Sequence, residues 1–268
     1  MHQATQAAVS KFPLARAIEN IQVIEPAGRT LDVVRLPNGR TSLVLRVFEE
    51  EQKGDVWVAG PRTSAHYKSA AAVARVVIMQ FRPGHSAPLL GVAAHTLTDR
   101  MVPLRELWGE RAGDELFVQL LGAPSGSDVI ERLARAAALR TPQTFEPASG
   151  HLARRAVRLL EAGEARVETI AEQLGVTARH LRRAFTESVG VGPKDFARTV
   201  RLHRALGRAV SSSSSDWSSV ATDSGYYDQA HLIADFRQLV GLTPGAFLKR
   251  AGRASSLTIE MSHLRLGG

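Results

Sequence analysis

Three arginines, Arg179, Arg182 and Arg183, fall within five residues of the segment GVTARHLRRAF, Gly175 to Phe185. A guanidinium keeps its charge at any accessible pH. It presents a planar fork of N–H donors that matches two acceptors side by side, such as O6 and N7 of guanine or a pair of phosphate oxygens. On a helix starting after Thr177 the three sit at i, i+3 and i+4 and share one outer stripe, with Leu181 and Phe185 turned inward. His180 adjoins the stripe and adds a donor. No acidic residue interrupts it. These residue types, in this order, point to recognition of an anionic polymer rather than to bond-making chemistry.

The whole chain agrees in charge. Its 268 residues carry a net charge of +8 and a pI of about 10.5, which favours an anionic partner. Residues 1–150 hold 17 Lys+Arg against 15 Asp+Glu, whereas residues 151–250 hold 15 against 10, so the excess is concentrated in the C-terminal part. The absence of cysteine removes disulfides and thiolate metal sites and fits a reducing compartment. No apolar run approaches the roughly eighteen residues of a membrane span. The first twenty residues lack the apolar core of a secretory signal. A cytoplasmic, nucleoid-associated protein of bacterial type is expected, with no membrane partner.

The elements that must carry the arginines are legible from spacing. From residue 151 on, amphipathic stretches of helical period alternate with Gly, Pro or Ser, predicting seven helices and an all-α domain over 151–253. A repeat runs through it. IAEQLG (Ile170–Gly175) corresponds to VATDSG (Val220–Gly225), and FTESVGVGPKDFAR (Phe185–Arg198) to FRQLVGLTPGAFLK (Phe236–Lys249). Phe and Pro are eight apart in both copies, and Phe and Phe eleven apart. Each copy reads as helix, glycine turn, helix: Ala171 and Ala221 permit close approach, Gly175 and Gly225 take positive φ, and Thr177 and Asp228 cap the second helix. That is a helix-turn-helix, whose second helix enters the DNA major groove.

The two second helices differ. The one after Asp228 offers Gln229, His231 and Arg237, with Ala230 able to give only apolar contact, and Asp235 there is expected to repel phosphate. PKDFARTVRLHRALGRAV joins the copies as a rod of about 17 residues, roughly 26 Å. Arg198, Arg201, Arg204 and Arg208 lie along it at helical spacing, either touching phosphate or solvating the rod. The serine run Ser211–Ser215 reads as a joint that also caps the next helix.

The N-terminal part, residues 1–140, reads as a mixed, β-barrel-like domain with helices. Two β-branched runs flank Pro37-Asn38-Gly39, a hairpin signal. DVWVAGP and ARVVIMQFRPG are further strands. Helical spacing begins after Gly84 and includes Val129, Leu133 and Ala136. Residues 141–150 read as a linker and 254–268 as a tail, giving an α+β chain in two domains.

GYYDQAHLIADFRQLVGLTPGAF, with two helix-turn-helix units on one joining helix, resembles the AraC/XylS transcription regulators over about residues 151–250. The likeness rests on Gly225, Tyr226, Phe236, Arg237, Gly241, Thr243, Pro244 and Phe247. Ala230 stands where the family often has serine, and Leu232 where it often has an aromatic residue. The resemblance implies base reading by Arg179, Arg182 and Arg183 and by Gln229, Ala230 and His231. It implies double-stranded DNA as partner and RNA polymerase as a further one. FRPGHSAPLLGVAAHTLTDRMVPLRELWG resembles domains found ahead of such modules, through Arg82-Pro83-Gly84, Leu97-Thr98-Asp99 and the Pro103–Trp108 stretch. By that likeness the domain would bind a small-molecule effector or a second copy of the chain.

Two rival readings stand beside this one. His66, His85 and His95 could serve a metal-dependent enzyme, but their spacings of 19 and 10 match no compact ligand motif. Neither enzymatic activity nor a cofactor or metal is expected. A basic protein that binds DNA without sequence preference would share the charge but has no need of the repeat.

Overall fold

A computed structural model describes residues 17–25, 31–48, 53–70, 73–123, 128–129, 131–133, 135–136, 148–164, 166–211, 216–253 and 257–260. The linker residues 141–147 and the serines Ser212–Ser215 lie outside them. Among the described residues no helix is long and apolar enough to cross a membrane.

The N-terminal strands are β1 (Ile18–Ile24), β2 (Leu31–Arg35), β3 (Ser42–Phe48), β4 (Gly54–Ala59), β5 (His66–Ala70), β6 (Val73–Phe81) and β7 (Met101–Pro103). They form an antiparallel five-stranded sheet, β1-β6-β3-β4-β7, and part of a second, smaller sheet. Neither closes on itself, so the domain is a pair of open sheets and not a barrel. Helices α1 (Ala87–Leu90), α2 (Leu104–Trp108) and α3 (Glu110–Leu121) follow, with a 3-10 turn at Ala94–Leu97. One face of the larger sheet buries Leu43, Val58, Met79 and Phe81 against Leu104, Leu116 and Leu120; Val129 and Leu133 join the same core, and Ala136 packs on it.

The Pro37-Asn38-Gly39 turn is not a hairpin. Strand β2 pairs with β5, while β3 pairs with β4 and β6, so the chain crosses from one sheet to the other at the turn. The reason is tertiary. The turn packs on the C-terminal domain, where a Cβ on Gly39 would lie 2.5 Å from the Phe196 ring. The Pro37 carbonyl is 2.9 Å from His203 Nε2. Arg40, buried beside the turn, pairs with Glu19 and reaches Glu161 at 3.6 Å.

The seven expected helices are present: α4 (Ala148–Ala162), α5 (Val167–Gln173), α6 (Ala178–Val189), α7 (Pro193–Ser211), α8 (Trp217–Asp223), α9 (Gln229–Val240) and α10 (Pro244–Arg253). Helix α4 starts three residues inside the segment read as linker. Helix α8 is capped by Asp216, whose carboxylate accepts from the N–H groups of Ser218 and Ser219, and not by a serine. Nor is the end of the chain only a tail. Strand β8 (Leu257–Glu260) returns to the N-terminal domain and pairs parallel with β2, completing the sheet β5-β2-β8.

The two domains share a core. Val34 and Leu36 are buried with Leu202, Leu206, Phe236, Leu239, Val240 and Phe247. The C-terminal domain is therefore less self-contained than its sequence reads. Leu36→Ala should destabilise the chain by about 2–5 kcal/mol, as for other fully buried leucines. Urea denaturation of the intact protein measures this, and a loss near zero would mean that the seam carries no stability. The fragment 151–253 should melt below the intact chain for the same reason.

Candidate nucleic-acid interface

Each repeat folds as its local chemistry requires. Gly175 and Gly225 adopt φ of +70° and +85°, a region where a side chain clashes with its own backbone. Thr177 Oγ1 accepts from the His180 N–H at 3.2 Å, and Asp228 Oδ1 from the His231 N–H at 2.7 Å. These caps satisfy amides that a helix start leaves without partners. Phe185 meets Phe196 edge-on with centroids 5.5 Å apart, and Phe236 meets Phe247 at 5.7 Å. The eleven-residue spacing thus produces one aromatic joint twice. Ala171 and Ala221 are buried where the helices cross.

Helix α6, the second helix of the first repeat, presents Arg179, His180, Arg182 and Arg183 to solvent, with Leu181 and Phe185 fully buried beneath. Arg182 is already engaged: its Nη2 donates to Glu168 on α5. Glu168's own backbone N–H, then Arg182 and Lys194, hold its carboxyl below the usual carboxylate range. An exposed pair of this kind is screened by water and weak, so it orients Arg182 without sequestering it. Glu168 is the residue that the sequence left unremarked. A carboxylate on the preceding helix facing an arginine stripe was its signal.

Helix α9, the second helix of the second repeat, exposes Gln229, Ala230, His231 and Arg237. His231 Nδ1 lies 3.5 Å from the Tyr227 N–H, and its ring stands edge-on to Tyr226. That arrangement leaves Nε2 as the ring nitrogen available to an outside group. Tyr227, directly before the Asp228 cap, is 89% exposed, an aromatic ring at the mouth of the helix that spacing arguments passed over.

Asp235 is not on the outer face. It is buried, and Arg198 donates to it from Nε at 2.8 Å and also from Nη2. The Tyr226 hydroxyl donates to its other oxygen at 3.2 Å. The expected repulsion of phosphate by Asp235 is therefore replaced by an internal anchor. Arg198 also donates to Gln238, Arg201 lies over the Tyr226 ring at 5.3 Å, and Arg204 donates to the Glu161 carbonyl at the end of α4. Arg198, Arg201 and Arg204 are thus held by protein groups, and Arg208, farther along the same helix, forms an exposed pair with Asp223 at 3.6 Å. Burial and the adjacent Asp235 carboxylate raise the Tyr226 pKa above the usual phenol range.

The histidines of the N-terminal domain lie apart in role. His66 is on β5, its pKa lowered by burial and by Arg62, and His85 Nδ1 sits 3.1 Å from the Pro83 carbonyl. Among the described residues no group of three or more His, Asp or Glu side chains could hold a metal ion.

Comparison with known proteins bears on both halves. Residues 170–250 match the family described as a helix-turn-helix domain, spanning both repeats, and residues 9–103 match the domain of unknown function DUF6597. Over 83 residues the chain is 35% identical to the HTH-type transcriptional regulator GlxA of Rhizobium meliloti (strain 1021). That match takes in 31% of this chain and 25% of the relative, so the chain spans about a quarter of that protein's length. ToxT from Vibrio cholerae O395 superposes with a TM-score of 0.42 at 10% identity, over 86% of this chain and 96% of that one. The unsaturated fatty acid bound wild-type ToxT of strain SCE256 gives 0.44 at 10% identity, over 85% and 94%.

The anchor generates two expectations. Asp235→Ala leaves a guanidinium and a phenol without their acceptor and should cost about 1–3 kcal/mol in urea denaturation. Because the folded state raises the Tyr226 pKa, it retains that proton when the unfolded chain loses it. Tyr226 therefore contributes stability below about pH 10, lost as pH rises further. A Tyr226→Phe chain should show a shallower alkaline decline in Tm, and an unchanged slope would remove Tyr226 from that role.

Proposed function

We propose that this chain, whose C-terminal domain is a helix-turn-helix domain of the AraC/XylS type, is a sequence-specific DNA-binding transcriptional regulator that lays α6 and α9 in successive major grooves. The observation that carries the reading is the repeated unit itself. The same cap, glycine turn and Phe–Phe joint occur twice, and each time they leave the first turns of the second helix exposed and polar. Helix α7 has 19 residues, about 28 Å of rod, against the roughly 34 Å between successive major grooves on one side of DNA.

Arg179, Arg182 and Arg183 are the guanine readers of this proposal, while Gln229 and His231 supply weaker contacts and Ala230 an apolar one. Arg237 on the last turn of α9 and Tyr227 before its first turn, both exposed, would meet the phosphate backbone. Arg198, Arg201 and Arg204 act as struts. The N-terminal domain, which packs on both helix-turn-helix units, is where a small-molecule effector or a second copy of the chain would act. RNA polymerase is the partner at the promoter.

Selection from a random duplex pool with the intact protein tests the proposal. A recovered consensus bound about a thousandfold more tightly than scrambled duplex is expected, and retention of the pool without enrichment would mean charge-driven binding alone. On that consensus, Arg179→Ala or Arg183→Ala should each cost about 1–3 kcal/mol and relax preference at one or two base pairs, and Gln229→Ala should cost less. Arg201→Ala should leave the salt slope of binding unchanged, since its guanidinium lies on Tyr226. A slope lower by about one unit would instead place it on phosphate.

A further inference from the structure

The last turns of both recognition helices end on the N-terminal domain. At the close of α6, the Gly190 carbonyl accepts from Thr98 Oγ1 at 2.6 Å. At the close of α9, the Leu239 carbonyl accepts from the Ala65 N–H at 2.8 Å, and the Val240 carbonyl from the Tyr67 hydroxyl at 2.9 Å. Carbonyls at a helix C-terminus lack partners within the helix, so a donor there fixes the helix end rather than decorating it. The opposite ends, with Arg179, Arg182 and Arg183 and with Gln229 and His231, stay exposed.

The two gripping points belong to one bracket. Asp99 accepts from the Thr63 N–H at 3.0 Å and from Thr63 Oγ1, and Arg62 lies 3.9 Å from it. The Asp99 N–H donates to the Pro61 carbonyl at 2.8 Å. Asp99 is the one non-glycine residue with positive φ among those described, at +57°, a conformation that Asp tolerates better than most and that surrounding bonds must hold. Asn38, in the turn seated on α7, exchanges backbone hydrogen bonds with Arg62 at 3.0 Å each way. Residues 61–67 and 97–99 therefore join the end of α6, the end of α9 and the middle of the joining rod in one hydrogen-bonded frame.

We propose that this bracket fixes the separation and relative angle of the two recognition helices, so that the N-terminal domain determines which spacing between half-sites the chain accepts. Thr98, Tyr67 and Asp99 are its positioning residues. The inference rests on the DNA-reading proposal above. Packing on the rod holds one side of each unit, the side that meets α7. The bracket adds a second attachment, at the end of each recognition helix. Inserting one base pair between half-sites turns one relative to the other by about 34° and moves it about 3.4 Å, which a rigid frame cannot follow.

The test uses the intact chain, the duplex selected from the random pool, a series with one or two base pairs added or removed between its halves, and a duplex carrying only the half read by α6. The wild-type chain should prefer the selected spacing by about tenfold or more over a one-base-pair change, equivalent to about 1.4 kcal/mol. The double variant Thr98→Val, Tyr67→Phe should bind the single half like the wild type while its spacing preference falls below about threefold. Thr98→Ser, which keeps the donor, should retain the full preference. Asp99→Gly, which keeps the backbone conformation and removes both acceptor oxygens, should relax it on its own. Wild-type spacing preference in the double variant and in Asp99→Gly overturns this inference and leaves DNA reading standing. Relaxed preference in Thr98→Ser also overturns it, since the hydroxyl would then not be the carrier. A wild-type chain that enriches no duplex overturns the DNA-reading proposal and this one together.

Discussion

Every packed unit of the C-terminal half is built against one helix, Pro193–Ser211. Its Phe196 closes the core of the first repeat. Leu202 and Leu206 meet the second repeat and the N-terminal strand β2 in a shared core, and Ala205 and Ala209 receive α8 and Tyr226. The apolar residues of this helix are shared among three cores, and Arg198, Arg201 and Arg204 serve the same packing. Arg198 holds Asp235, Arg201 covers Tyr226 and Arg204 closes the end of α4. Charge that would otherwise be a solvated stripe is used to orient neighbours.

That constraint separates two classes of basic residue that composition cannot distinguish. The arginines of the joining helix face acidic, aromatic or carbonyl groups of the protein. Those on α6 face solvent, apart from the exposed pairing of Arg182 with Glu168. An anionic ligand competes only with water and a weak ion pair at α6, whereas at Arg198 it would compete with a buried carboxylate.

The chain also returns on itself. After the N-terminal sheets and helices it builds two helix-turn-helix units and comes back as β8 beside β2. Strand β2 leads directly into the turn seated on α7. The smaller sheet is consequently made from strands on both sides of the helix-turn-helix units, and a displacement of the N-terminal domain would be transmitted to those units through backbone pairing as well as through side chains.

What the sequence determined by itself was what a short stretch of chain settles locally. Thr177 and Asp228 as caps, Gly175 and Gly225 at positive φ, the inward Leu181 and Phe185 with their counterparts Leu232 and Phe236, and the seven helices all depend on contacts within a few turns. The repeat stated each of them twice. What only the tertiary structure decided was which distant partner each group meets. The turn at Asn38-Gly39 is a hairpin by local chemistry, but burial of Leu36 and the fit of Gly39 against Phe196 send its two strands to different sheets. Asp235 and Arg198 look like surface charges until α9 folds over α7 and buries one against the other. The Thr98–Gly190 and Tyr67–Val240 contacts join residues up to 173 positions apart, and strand β8 pairs Asp32 with Leu257 across still more of the chain. No periodicity encodes such pairs, because the free energy that selects them comes from closing a shared core, and that core exists only once both domains are in place.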